Sequence, residues 1–176
     1  MKDLEEKVVL ITGGTQGIGL ATAKLLSKKG AKIIILARTE SDLYKVHEQI
    51  PNSLTLSVDV RDIQAIKNAV KKAKEYFGKI DILINNAGQG LNASIETIDI
   101  EQYRKIIDLN IIGALVLMQE VIPHMKSQGG GAIINISSVA SKEAIPFMGA
   151  YSSTKYALNS LSLTAREELQ KDNIIV

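Results

Sequence analysis

Tyr151 and Lys155 are the two residues whose types and spacing point most directly to chemistry. They stand four apart in a stretch with helical spacing, so both side chains project from one face of a helix. A free tyrosine has a pKa of about 10 and is a poor acid–base catalyst at neutral pH. Because a neighbouring ammonium favours the phenolate, it brings that pKa closer to the working range. The pair predicts acid–base chemistry, but a Y-x-x-x-K spacing also occurs by chance.

Three polar residues elsewhere in the chain could belong to the same site. Ser137 and Ser138 follow a predicted strand, where a hydroxyl could bond a substrate oxygen or merely cap a turn. Asn110 falls inside the apolar stripe of a helix predicted over residues 103–122. Since a buried amide must find hydrogen-bond partners, Asn110 is either a structural residue that bonds neighbouring backbone or part of a polar site.

Glycines cluster between the first predicted strand and the first predicted helix. Residues 12–19 read TGGTQGIG, with the spacing G-x-x-x-G-x-G rather than the G-x-G-x-x-G of the general dinucleotide fingerprint. Such glycines let the backbone turn sharply and approach a pyrophosphate, which the amides and dipole of the helix N-terminus stabilise. The position after the first strand favours a dinucleotide cradle over a plain turn.

The end of the second predicted strand bears on the choice of dinucleotide. NAD-binding folds place a carboxylate there, about 20 residues after the cradle, to accept from the ribose 2′-hydroxyl. Here the strand ends in Ala37, Arg38 and Thr39, and Glu40 is assigned to the next helix. Arg38 could form charge-assisted bonds with a 2′-phosphate or be a solvated surface residue. The sequence therefore favours NADP(H) over NAD(H).

The elements that must position these residues alternate along the chain. Near-continuous apolar strands that alternate with helices indicate a parallel sheet covered on both faces, doubly wound, with ligands at the carboxyl ends of the strands. We predict a single α/β domain over residues 1–176, with the three glycines 129–131 forming a turn rather than a linker. Strands are predicted at 8–11, 33–36, 54–60, 80–84, 132–136 and from 174, and helices at 18–29, 41–49, 63–77, 103–122 and 150–171.

Composition argues against several other classes of protein. The 176 residues, 45% apolar and 23% charged, suit one globular domain that needs no disulfide or metal staple. A scattered net charge of +2 gives no case for nucleic acid, and the absence of cysteine excludes thiolate metal sites. Residues 1–7 do not resemble a signal peptide, and the apolar stretch 111–118 is shorter than the ~20 residues that span a bilayer. We expect a cytoplasmic protein without metal or membrane contact.

In combination, these motifs resemble the short-chain dehydrogenase/reductase family, in its shorter-subunit or classical branch. The resemblance covers essentially the whole chain, and six signals in the right order and spacing make it specific. These signals are the cradle at 12–19, Asp59-Val60, Asn85-Asn86-Ala87-Gly88, Asn110, Ser137-Ser138 and Tyr151-Ser152-Ser153-Thr154-Lys155.

The resemblance implies a Rossmann-fold oxidoreductase that transfers a hydride between NADP(H) and a carbonyl or alcohol substrate. It implies that Tyr151 is the general acid/base, that Ser138 rather than Ser137 polarises the carbonyl, and that Lys155 binds the nicotinamide ribose and lowers the pKa of Tyr151. Asn110 would hold a water in a proton relay. The implied cofactor-binding residues are Gly13, Thr15, Gln16, Gly17, Ile18, Gly19, Arg38, Asp59, Val60, Asn86, Ala87, Gly88, Tyr151 and Lys155.

The resemblance also implies a homodimer or homotetramer built on the helices around 103–122 and 150–171. Leu158, Leu161 and Leu169 fit either the core or such an interface, and the sequence does not divide them. The apolar residues 145–148 suggest one wall of a substrate site but leave the substrate open.

The sequence departs from the family pattern in three places. Ser141 stands where the family usually has glycine, and Gln16 stands where many NADP-linked members carry a basic residue, which weakens the case for NADP(H). Family members are also longer, so we expect the natural protein to continue past Val176 with a part that carries substrate specificity. An NAD(H)-linked dehydrogenase, a non-catalytic dinucleotide-binding regulator on the same fold and a shortened chain without turnover remain alternatives.

Overall fold

A computed structural model describes residues 4–176, so the first three residues of the N-terminal segment discussed above lie outside the described part. Six strands form one sheet in the order β3-β2-β1-β4-β5-β6, and all five pairings are parallel. This is the doubly wound order in which the chain reverses direction across the sheet between β1 and β4. The predicted fold is confirmed. The strands are β1 Val8–Thr12, β2 Lys32–Ala37, β3 Leu54–Ser57, β4 Ile82–Asn85, β5 Gly131–Asn135 and β6 Ile174–Ile175.

Helices cover both faces of the sheet. α1 and α2 pack on one face with Val9 and Ile11 of β1, whereas α3, α5 and α6 pack on the other with Val8 and Leu10. Alternate side chains of one strand therefore enter two separate cores, which is why the strands read as unbroken apolar runs. The helices are α1 Gly17–Lys28, α2 Glu40–Gln49, α3 Ile63–Phe77, α4 Ile100–Ile107, α5 Gly113–Ser127 and α6 Gly149–Leu169.

The predicted helix over 103–122 is longer and less regular than its periodicity indicated. It begins at Ile100, where the Asp99 side chain accepts from the Gln102 amide at 2.7 Å, and a five-residue π-helical segment, Asp108–Ile112, joins α4 to α5. Each added residue in a π turn shifts the following side chains around the axis, so the apolar stripe of α4 and that of α5 need not coincide.

Two strands are shorter than predicted. β3 ends at Ser57 rather than at position 60, because β2, its neighbour in the described sheet, ends at Ala37, whose carbonyl accepts from the Val58 amide at 2.8 Å. β4 begins at Ile82 rather than at position 80, and Asp81, directly before it, donates its amide to the Val8 carbonyl at 2.9 Å and accepts the Val8 amide on its carboxylate at 2.8 Å. The turn predicted at 129–131 is confirmed, with Gly129 at φ 89° and Gly130 at φ 144°.

One helical stretch of the described residues, Ile100–Ser127, is long and apolar enough to span a bilayer by length and composition alone. Of its most apolar window, 44% is buried inside the protein. Leu117, Val121 and Met125 of α5 are fully buried in the core shared with α3 and the sheet. Core packing accounts for the apolarity of this stretch.

Candidate active site

A cleft of about 580 Å³ opens at the carboxyl ends of β1, β2 and β4. This is the edge at which a doubly wound sheet binds its ligand, and the volume suits a cofactor. Of the predicted cofactor residues it contains Gly13, Thr15, Gln16, Ile18, Arg38, Asp59, Val60, Asn86, Ala87 and Gly88, but not Gly17, Gly19, Tyr151 or Lys155. The sequence argument missed seven further lining residues, namely Leu36, Ala37, Thr39, Asp42, Val58, Gln89 and Leu109.

The glycine cradle has the backbone geometry that only glycine adopts at low cost. Gly13 and Gly17 have φ values of 65° and 53°, in the left-handed region. A Cβ at Gly19 would lie 2.5 Å from Asn86 Nδ2 and against the Gly13 carbonyl, so this position requires glycine for close packing. Gln16, at the N-cap of α1, makes no side-chain capping bond, which leaves the first amides of the helix for an anion.

Thr12 and Asn86 tie the cradle to the end of β4. The Thr12 hydroxyl oxygen accepts from the amides of Asn86 and Ala87 at 3.0 and 2.9 Å. The Asn86 side chain in turn donates to the carbonyls of Thr12 and Gly13 at 3.0 and 3.1 Å. Asn86 therefore fixes the shape of the cradle as well as lining the cleft, and Thr12, the buried first residue of the cradle motif, was given no role of its own from the sequence.

The end of the cleft beside β2 and β3 is charged. Arg38 lies there as predicted, and Glu40 begins α2, so no carboxylate ends β2 itself. Asp42, in the first turn of α2, also lines this end and pairs with Lys45 at 3.3 Å.

Asp59, on the same side of the cleft, is held by its neighbour Arg61. Arg61 Nε donates to both carboxylate oxygens at 3.0 and 3.1 Å, and the Arg61 amide adds a bond of 3.0 Å. The side-chain hydrogen bond from Arg61 holds the pKa of Asp59 below its usual range, against partial desolvation, and the charge of Arg38 adds to the effect. Asp59 is therefore a fixed carboxylate, and the contribution of Arg61 was not foreseen.

α6 places Tyr151 and Lys155 on one face, as their spacing predicted. The Lys155 ammonium lies 5.8 Å from the centroid of the Tyr151 ring, while Tyr151 itself is half-buried. Lys155 is only 4% exposed, and its Nζ donates to the Ile136 carbonyl at 2.8 Å, directly before the two serines. Burial lowers the pKa of Lys155. The chain thus keeps an ammonium beside the phenol at an energetic cost.

Ser138 also caps a turn. Its Oγ accepts from the Ala140 amide at 3.2 Å, which starts the 3₁₀ turn Val139–Ser141. The Ser141 hydroxyl donates to the Ser138 carbonyl and lies 3.2 Å from Ser137 Oγ. The residue that departs from the family pattern therefore braces both serines. Because the amide uses only an acceptor position of Ser138, its O–H remains able to donate to a substrate oxygen.

Asn110 is 1% exposed and lies in the π-helical segment. Its Oδ1 accepts from the Gln89 amide at 2.9 Å, and its Nδ2 donates to the Gln89 carbonyl at 2.9 Å and to Thr154 Oγ1 at 3.0 Å. A Cβ at Gly88 would lie 3.2 Å from Asn110 Oδ1 and 3.4 Å from Lys155 Nζ, so these two groups flank Gly88. The bonds to neighbouring backbone that the sequence left open are present.

Comparison with known proteins identifies the family. Residues 7–176 match the family model described as short chain dehydrogenase. The chain belongs to this family. An uncharacterized oxidoreductase of Staphylococcus saprophyticus is 36% identical over 181 residues, which cover 100% of this chain and 77% of the relative. Another from Methylorubrum extorquens is 37% identical over 181 residues, which cover 100% of this chain and 72% of the relative.

Solved short-chain dehydrogenases have the same fold. A short-chain dehydrogenase from Streptomyces avermitilis aligns with a TM-score of 0.94 at 30% identity and covers 98% of this chain, and the chain spans 64% of that structure. NAD⁺-bound xylitol dehydrogenase aligns with a TM-score of 0.95 at 32% identity and covers 98% of this chain and 68% of its own. Short-chain dehydrogenases are oxidoreductases that use NAD(P)(H), which agrees with a cleft built on a glycine cradle.

Proposed function

We propose that this chain carries the cofactor and acid–base site of an NADP(H)-dependent carbonyl reductase or alcohol dehydrogenase. The observation that carries the proposal is the position of the Lys155 ammonium. It lies beside the Tyr151 ring, bonds the main chain directly before Ser137 and flanks Gly88 on the wall of the cleft. A non-catalytic dinucleotide-binding regulator has no use for a buried ammonium next to a tyrosine.

The cleft fits a dinucleotide. The left-handed glycines of the cradle and the uncapped start of α1 suit a pyrophosphate, and Asp59 and Val60 suit the adenine. Asn86, Ala87 and Gly88 at the end of β4 would make further contacts with the cofactor. The ammonium of Lys155 would bind the ribose of the nicotinamide. The nicotinamide supplies or accepts the hydride when it is bound.

The protein's own groups handle the substrate oxygen. In the reductive direction the Ser138 hydroxyl donates a hydrogen bond to the carbonyl oxygen and polarises it, and the Tyr151 hydroxyl gives that oxygen its proton. The ammonium of Lys155 stabilises the phenolate that remains, because a nearby positive charge favours the ionised tyrosine. Asn110, through a water, would return a proton towards Lys155. Alcohol oxidation uses the same groups in reverse.

NADP(H) is the proposed cofactor because Arg38 lies on the cleft wall and no carboxylate ends β2. Removal of one charge-assisted contact to a 2′-phosphate costs about 1.5–3 kcal/mol, which is roughly a 10- to 150-fold loss. We therefore expect Arg38→Ala to lower kcat/KM for NADPH by that factor and to leave kcat/KM for NADH almost unchanged. An unchanged NADPH/NADH ratio contradicts the proposal.

A second candidate is an NAD(H)-linked dehydrogenase. The Asp42 carboxylate on the same wall and the neutral Gln16 in the cradle favour this alternative. Asp42→Asn distinguishes the two candidates. If Asp42 contacts the 2′-hydroxyl, loss of its negative charge weakens the binding of NADH selectively. A panel of ketoacyl, sugar, steroid and small-ketone substrates, read by NADPH and NADH oxidation with the full-length protein, then tests the proposed activity. Absence of turnover with every class would favour the regulator.

We also propose that the protein is a cytoplasmic homodimer or homotetramer. Leu158 and Leu169 are buried in the core, which argues against an interface role for these two, whereas Leu161 packs against the core and stays partly exposed. Tyr156 and Leu163 of α6 are exposed and are the better candidates. Light scattering of the full-length protein is expected to give a dimer or tetramer mass, and a monomer mass contradicts the assembly.

A further inference from the structure

Thr154 stands between the two proposed catalytic residues of α6 but faces the interior. It is fully buried, and its hydroxyl is used twice. Thr154 Oγ1 donates to the Tyr151 carbonyl at 2.7 Å and accepts from Asn110 Nδ2 at 3.0 Å. One hydroxyl thus joins the catalytic turn of α6 to the π-helical segment.

The connection continues from Asn110 to the wall of the cleft. The amide of Asn110 accepts from the Gln89 N–H and donates to the Gln89 carbonyl, so it holds both sides of one residue of main chain. Gln89 lines the cleft, and its neighbour Gly88 lies against both Asn110 Oδ1 and Lys155 Nζ. Three separate elements, α6, the π segment and the loop after β4, meet in this network. π segments inside α-helices are uncommon and often occur at functional sites.

We propose that Thr154 is a positioning residue for the reaction, acting through Asn110. Its hydroxyl orients the Asn110 amide, and the amide fixes the loop at Gly88 and Gln89 relative to Lys155. This inference rests on the proposed function, because the ammonium whose surroundings it sets is the one assigned to the chemistry. Without the hydroxyl, one N–H of the Asn110 side chain is buried and unpaired. This cost favours rotation of the side-chain amide away from Gln89.

The proposal predicts different effects of this hydroxyl at the two ends of the cleft. Within residues 4–176 the hydrogen bonds of this network do not include Arg38 or Asp59, which lie at the end beside β2 and β3, so loss of the Thr154 hydroxyl should not change affinity for the adenosine part of a dinucleotide. The effect should appear in kcat and in its pH dependence, since both depend on the ammonium beside Tyr151.

Two variants separate the hydroxyl of Thr154 from its methyl group. Thr154→Val keeps the side-chain shape and removes the hydroxyl, whereas Thr154→Ser keeps the hydroxyl and removes the methyl group. Ser153→Ala is the control on the neighbouring residue. Ser153 Oγ donates to the Ala150 carbonyl at 2.8 Å and lies 2.7 Å from the Tyr103 hydroxyl of α4, so this variant also removes a link between two helices, but none to Asn110. All three are made in the full-length protein.

Amide hydrogen exchange and kinetics give independent readouts. We expect the Gln89 amide to exchange at least tenfold faster in Thr154→Val than in wild type, and kcat to fall about tenfold or more with a shifted pH profile, because a buried hydrogen bond is lost. The Kd of adenosine 2′,5′-bisphosphate, which carries only the adenosine part of NADPH, should stay within about threefold when measured by calorimetry. Thr154→Ser and Ser153→Ala should match wild type in every measurement.

Two results would overturn the proposal. One is a Thr154→Val protein that is less stable but has the wild-type pH profile and kcat, since the hydroxyl would then be structural only. The other is unchanged exchange of the Gln89 amide, which needs no turnover and so distinguishes failure here from failure of the proposed reductase activity. If Thr154→Val does not fold, Thr154→Ala is measured with the same expectations.

Discussion

The buried Lys155 ammonium should lower the free energy of unfolding, although the proposed reaction requires it. It is 4% exposed, its Nζ bonds the Ile136 carbonyl, and within residues 4–176 it forms no ion pair with a carboxylate. Desolvation of a buried ion costs several kcal/mol, whereas one hydrogen bond to a charged group returns about 1.5–3 kcal/mol. Lys155→Met removes the charge with little change in length. We expect this variant to be more stable than wild type by about 1–2 kcal/mol at pH 7.

The pH dependence of this difference follows from the lowered pKa of Lys155. Because burial lowers the folded-state pKa below the ordinary 10.5, the unfolded chain binds more protons than the folded chain between the two values. The unfolding free energy of wild type therefore rises with pH in that window, by up to about 1.4 kcal/mol per pH unit. The advantage of Lys155→Met should be constant at lower pH and shrink as pH rises towards 10.5.

Urea unfolding followed by circular dichroism at pH 7, 9 and 10 measures this difference. Lys72→Met is the matched control, since Lys72 is exposed on α3 and its ammonium is hydrated before and after unfolding. We expect Lys155→Met alone to give a pH-dependent difference, and to lose reductase activity. A Lys155→Met protein that is less stable than wild type at pH 7, or a stability difference that does not change with pH, would refute the reasoning.

Three further predictions concern the cradle, the loop after β4 and the α3–α5 contact. Gly88→Ala should lower kcat by about tenfold, since its Cβ would press on Asn110 Oδ1 at 3.2 Å and reach Lys155 Nζ at 3.4 Å, whereas Gly90→Ala, with open space, should match wild type in the same kinetic assay. Gly19→Ala should lower the stability by about 1–3 kcal/mol in urea unfolding, and weaken NADPH binding, because the Cβ would enter the cradle; wild-type values of both contradict this. Burial, and then the charge of Lys74 at 2.9 Å, lowers the pKa of His124, so stability should fall as pH drops below the ordinary value of 6.5, and His124→Gln should lose this dependence in urea unfolding at pH 7.5 and 5. An equal dependence in the variant would show that other groups cause it.

The sequence was sufficient to predict the alternation of strands and helices, the doubly wound parallel sheet and ten of the seventeen residues that line the cleft. Apolar runs marked all six strands, because strands buried on both faces carry no polar alternation, and α3 was predicted at its observed bounds, Ile63–Phe77. The cradle and Arg38 were found from residue type and position relative to the strands, since the carboxyl ends of parallel strands share one edge.

The features that the sequence did not reveal depend on contacts between distant residues. Thr12 meets Asn86 across 74 positions, and Asn110 meets Thr154 across 44. Neither pairing has a local signal, because threonine and asparagine are ordinary residues in strands, turns and helix ends. The π segment Asp108–Ile112 also has no local signal, because the apolar stripe in the sequence is regular and the π geometry depends on tertiary packing.

Tyr151 carries the central claim, and its hydroxyl can be removed with little change in shape. The most direct measurement is kcat/KM for NADPH-dependent carbonyl reduction by full-length wild type, Tyr151→Phe and Tyr76→Phe, the last being an exposed tyrosine on α3. Loss of a positioned general acid costs about 10²–10⁴-fold, so Tyr151→Phe should fall by that factor while Tyr76→Phe keeps wild-type activity. Equal activity of Tyr151→Phe and wild type would contradict the proposed mechanism.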